Sequence, residues 1–144
     1  MSGKKDTNPK DAVGVLKVGE SCIPSGPVME MGLAMLEGAR KYGRHNYRTA
    51  GVRGSVYYDA IIRHLKAWWE GQDNDPDSDL HHLVKIMACC AVLRDSMLRK
   101  NWIDDRPPKM DDTWLADLNK KAADIIKRYP DAKAPYTQLD LEKA

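Results

Sequence analysis

The chain has 144 residues, of which 42% are hydrophobic and 31% charged, and its formal net charge is +2. That length suits one domain with a core of its own, and the balance of apolar and charged residues excludes a wholly disordered chain. A net charge so small excludes the broad basic field of a typical nucleic-acid binder, so any anion must be met by local clusters.

Residues 1–24 are polar and broken by Pro9 and Pro24. They read as an irregular arm ahead of a single helical domain over 25–129, with a polar tail over 130–144. The arm has no apolar segment of the secretory type, and nowhere are there 18 consecutive apolar residues. No leader and no membrane span are expected, and the expected setting is cytoplasmic. Cys22, Cys89 and Cys90 form no CxxC pair. The last two lie in an apolar run and are expected to be reduced core residues.

Ser25-Gly26-Pro27 suits a helix start, because proline in the first turn gives up only a donor that would be unpaired there. The first long helix is predicted from about Pro27 to Tyr42, stopped by Gly43, with Val28, Gly32, Met35, Leu36 and Ala39 as its apolar stripe. A loop rich in Gly, Arg and Asn follows. The second helix runs from about Val56 to Glu70, turning Tyr57, Ala60, Ile61, His64, Leu65 and Trp68 inward. Asp59, Arg63, Lys66 and Glu70 share another side. An acidic turn leads to a third helix, capped by Asp77 or Ser78 and reaching about Arg99, apolar nearly all round and therefore central. The fourth spans about Asp111 to Tyr129. Nothing reads as a strand. The fold class is all-α, a small bundle of about four helices. Either Trp68 or Trp69, on different sides of one helix, suits an interface, so a homo-oligomer is open.

Three groups carry possible chemistry. Asp73, Asp75, Asp77 and Asp79 alternate one turn beyond Glu70. Carboxylates this close suit a hard cation such as Mg²⁺ or Mn²⁺, or else act as caps in a first helical turn. The spacing does not fit an EF-hand. Arg40, Lys41, Arg44, Arg48 and Arg53 lie among glycines and Asn46, a setting for phosphate oxygens. Glu37 is either a ligand or half of an i,i+4 pair with Lys41. His64, His81 and His82 allow a second reading, an HD-like metal phosphohydrolase using His64, His82 and the aspartates. A third reading is non-catalytic, a helical adaptor binding protein or nucleic acid through the basic loop.

Four stretches together resemble the phage dATP/dGTP diphosphohydrolase N-terminal domain family, related to the all-α MazG-like pyrophosphohydrolases. They are Asn8-Pro9-Lys10-Asp11-Ala12, the run from Leu36 to Tyr47, the run from Arg63 to Gly71, and Asp75 to Leu83; Asp104-Asp105-Arg106-Pro107-Pro108 ends the similarity. The resemblance implies Mg²⁺- or Mn²⁺-dependent cleavage of dATP or dGTP to the monophosphate and pyrophosphate. It implies metal on Glu37, Glu70, Asp73 and Asp77, with Glu37, Glu70 and Asp73 catalytic. Substrate would be held by Lys41, Tyr42, Asn46, Arg63, His64 and Lys66, with no stable nucleic-acid or membrane partner. Glu70-Gly71-Gln72-Asp73 matches the second half of the MazG-like Glu-x-x-Glu … Glu-x-x-Asp pattern. Glu37 is followed three residues on by Arg40 rather than a carboxylate. Gln72 stands where an acidic residue is expected, and Asp79 where glycine is.

Overall fold

The computed structural model describes residues 8–143. These divide into two compact units, Met1–Arg106 and Pro107–Ala144, so the boundary falls inside the span 25–129 that reads from sequence as one domain. Both units are helical. The first contains α1 (Pro9–Gly14), α2 (Ser25–Tyr42), α3 (Asn46–Ala50), α4 (Gly54–Trp69) and α5 (His82–Leu98). The second contains α6 (Trp114–Arg128) and α7 (Gln138–Glu142). The four long helices are those predicted; the three short ones are not.

The short α1 replaces part of the expected irregular arm because its local chemistry is complete. Asn8 accepts a hydrogen bond from the Lys10 N–H, Pro9 opens the helix and Asp11 sits in its first turn. The rest of the expected arm before Asn8 lies outside the described residues. In the second unit, the Asp111 carboxylate accepts from the Thr113 backbone and hydroxyl, and this turn delays the helix to Trp114. In the tail, a reciprocal capping box between Thr137 and Asp140 starts α7.

In the first unit α5 is the shared element, packed against α4 and α2. Val84, Ala88, Val92 and Ser96, one per turn, are its buried stripe. Ala34 of α2 joins Val84 and Ala88, with Met31, Met35 and Leu80 packed around them. The buried face of α2 is therefore centred on Ala34, rotated from the predicted stripe, and Leu36 stays exposed. Cys90 is exposed too and only Cys89 is half-buried, which corrects the expectation that both are core.

A clip unseen in the sequence closes the lower part of this unit. Val52–Arg53 (β1) pairs in parallel with Trp102–Ile103 (β2). Gly51 makes this possible: its φ is +75, and a Cβ there would lie 2.3 Å from the Asn101 carbonyl oxygen. Asn101 also donates to the Tyr47 and Arg48 carbonyls. Arg48 grips Asp95 of α5 with two bonds of 2.8 and 3.0 Å. Asp105 accepts from the Ser55 N–H at 2.8 Å and from its hydroxyl, capping α4 from 50 residues away and starting it at Gly54 instead of Val56. Part of the Asp104-Asp105-Arg106 ending is thus structural.

The acidic turn also departs from its predicted role. Asp75 accepts from the Asp77 N–H and the Ser78 hydroxyl, while its own N–H bonds the Leu80 carbonyl. Asp79 has φ +58, the left-handed conformation that favours glycine. A helix cannot propagate through that residue. α5 instead begins after His81, whose Nδ1 accepts from the Leu83 N–H at 3.1 Å, so neither Asp77 nor Ser78 is its cap.

Candidate active site

One cavity of about 670 Å³ opens between α2, the α2–α3 turn, α4 and α5. Its size is within the range of small-molecule sites. From α2 come Glu37, Lys41 and Tyr42; the turn, with Gly43 at φ +93, and the start of α3 bring Arg44, His45, Asn46 and Tyr47. Helix α4 adds Tyr57 and His64, and α5 adds Lys85 and Cys89. Three cationic side chains face one carboxylate in this lining, so the cavity favours an anion.

The carboxylate is already engaged. Lys85 Nζ donates to Glu37 Oε1 at 2.5 Å, and Lys41 lies 3.6 Å from the same oxygen. The bond from Lys85 holds the Glu37 carboxyl below its usual range against a smaller opposing effect of burial. Burial raises the Tyr57 hydroxyl and the Cys89 thiol, so Cys89 is a protonated thiol and not a nucleophilic thiolate.

Deeper, the two histidines form a pair. His64 Nδ1 and His82 Nδ1 are 2.8 Å apart, and His82 Nε2 is 2.7 Å from Gln72 Oε1. His82 is only 3% exposed. Burial lowers the His64 pKa below 6.5, outweighing the pull of Asp75, so its ring is neutral at pH 7.

A family model described as dATP/dGTP diphosphohydrolase, N-terminal, matches residues 7–106. The chain belongs to this diphosphohydrolase family. The match ends at the residue where the first compact unit ends, so the family domain and that unit coincide there. No curated protein and no solved structure matches the chain.

For this diphosphohydrolase-family domain, the structure brings together Glu37, Lys41, Tyr42, Asn46 and His64 in one cavity. Glu70, Asp73, Asp77, Arg63 and Lys66 do not line it and are exposed. The Asp73 side chain is 79% exposed and lies 4.0 Å from His81 Nε2. Among the described residues no three His, Cys, Asp or Glu side chains converge to hold a metal ion. With Glu37 bonded to Lys85 and the other three carboxylates outside the cavity lining, the four-carboxylate ligand set implied by the resemblance does not fit this arrangement. The histidine pair lacks a third ligand in the same way. Among the described residues no helix is long and apolar enough to cross a membrane.

Lys85 and His45 also line the cavity, and nothing in the sequence assigns them a role there; Tyr57 is expected only on the inward side of α4, and Arg44 among the cations suited to phosphate oxygens. Lys85 had a visible signal: it is a lysine inside the most apolar helical run of the chain. A cation in such a place is held by a partner or serves a site.

Proposed function

We propose that the chain hydrolyses dATP or dGTP to the deoxynucleoside monophosphate and pyrophosphate in this cavity. Membership of the diphosphohydrolase family supports the reaction class, and the observation that carries the location is the cavity's grouping of Lys41, Arg44 and Lys85 with Tyr42, Tyr47 and Tyr57. Cations match a triphosphate, and aromatic faces match a base. Lys85 exchanges part of its bond to Glu37 for a phosphate oxygen, and Lys41 and Arg44 hold the outer phosphates. Asn46, with both donor and acceptor atoms, suits a purine edge. Fixed cations of this kind stabilise charge as it develops on the departing pyrophosphate. A MazG-like relationship and a role in phage nucleotide metabolism belong to the same proposal. Because the cavity lining, among the described residues, offers no metal-holding carboxylate set, the Mg²⁺ or Mn²⁺ on which activity depends would enter on the triphosphate itself.

Product analysis tests it. The chain is incubated with each of the common nucleoside and deoxynucleoside triphosphates, with Mg²⁺, with Mn²⁺ and with chelator. Pyrophosphate and monophosphate from dATP or dGTP, lost with chelator, are the expected result. Release of tripolyphosphate or inorganic phosphate, or no turnover of any substrate, would overturn the reading.

A further inference from the structure

We infer that His64 is the general base of the proposed hydrolysis, with His82 and Gln72 as the positioning residues that fix its tautomer; this rests on the reading under Proposed function. The inference begins at the far end of the chain of bonds. Gln72 Oε1 can only accept, so at 2.7 Å His82 Nε2 carries the proton and donates it. In this arrangement, with Nε2 committed to Gln72, His82 Nδ1 is the acceptor toward His64. His64 Nδ1, 2.8 Å from it, must then be the donor. His64 Nε2 is left unprotonated.

His64 lines the cavity alongside Lys85, and its Nδ1 edge is taken up by His82. The edge bearing the free Nε2 lone pair is the one available to a molecule in the cavity. Burial keeps the ring neutral at pH 7, so the lone pair is present when substrate binds. Gln72 is therefore more than a departure from an expected acidic residue: it sets the direction of the whole chain. The order base, orienting group, second orienting group is the logic by which a hydrolytic histidine is held in one tautomer.

The step balances without a further reactant. A water O–H proton passes to His64 Nε2 as its oxygen bonds the α-phosphorus. The α–β bridging P–O bond breaks, and its electron pair leaves on pyrophosphate. The proton then returns from His64 to solvent.

Two measurements on the full chain test this. Nitrogen-15 imidazole correlations at neutral pH are expected to show His64 protonated at Nδ1 and His82 at Nε2; His64 protonated at Nε2 overturns the inference without any variant having to fold. In kinetics, His64→Asn should lower kcat by about a hundredfold with little change in KM, the usual worth of a positioned base. Gln72→Leu should lower kcat by about tenfold, and the double variant should be no slower than His64→Asn, because an orienting group acts only through the base it orients. Wild-type turnover with a fully active His64→Asn variant would sink the base while leaving the diphosphohydrolase reading standing. An inactive wild type would sink that reading, and this role with it.

Discussion

Replacing Glu37 with Gln keeps the shape of the side chain and removes the one carboxylate of the cavity lining. Lys85 would then be left, at 17% side-chain exposure, with a neutral partner at the end of a 2.5 Å bond. An attraction of about 6–7 kcal/mol at an effective dielectric near 20 is the gross loss, and most of it is offset by the desolvation both charges suffer. Exposed pairs contribute about 0–1 kcal/mol, and breaking a fully buried one costs about 3–5 kcal/mol. A half-buried pair belongs between them, at about 1–2 kcal/mol. With a urea dependence of about 2 kcal/mol per molar, the unfolding midpoint should fall by about 0.5–1 M. The pH dependence follows from the depressed carboxyl. The folded pKa of Glu37 lies below the ordinary glutamate value of 4.5, so its stabilisation is fully present above that value and is lost as pH falls through the lower folded one. Urea unfolding of both chains at neutral pH and near pH 3, followed by tryptophan fluorescence, should show a gap that closes on acidification. An equal gap at both pH values, or none at neutral pH, refutes the ion-pair account.

Lys85→Met should weaken nucleotide affinity by about tenfold, the equivalent of about 1.4 kcal/mol, in a binding titration; unchanged affinity would place the phosphates elsewhere. Asp105→Ala removes the distant cap of α4 and should lower the thermal midpoint, read by circular dichroism, whereas an unchanged melt would contradict the cap. Gly51→Ala meets both a φ of +75 and the Asn101 carbonyl oxygen at 2.3 Å, and should destabilise by more than about 1 kcal/mol, whereas a melt like the wild type would contradict the parallel clip. Met29, Leu33 and Leu36 form an exposed apolar row along α2, so a homo-oligomer is expected by light scattering at a mass above the 16.2 kDa of one chain, and Leu33→Glu should return it to monomer.

How much of this could be read from the chain divides along physical lines. Period and punctuation are local, and they placed the four long helices: Gly43 stops α2, and the Tyr57–Ile61–His64 spacing marks the inward side of α4. Helix starts failed wherever a side chain captured a backbone donor. Asp75 folds the acidic turn on itself, and Asp105 reaches back 50 residues to Ser55. The expectation of glycine at position 79 has a physical meaning, since the backbone there is left-handed and Asp tolerates it better than most residues.

The site divides in the same way. Lys41, Tyr42 and Asn46 were legible because they crowd one loop beside Glu37. Glu70 and Asp73 looked equally functional, yet they lie exposed just past the end of α4 and in an open turn, since charge clustering in sequence also describes a solvated surface. Lys85 meets Glu37 across 48 residues, and His82 meets His64 across 18. Those meetings are set by how α5 packs on its two neighbours, and no periodicity along a single helix encodes them. What the sequence does show at both places is a local misfit: a lysine and a histidine in the most apolar helical run of the chain. Polar groups are costly in such a stretch unless they are partnered, so the misfits of α5 are where its chemistry should be sought.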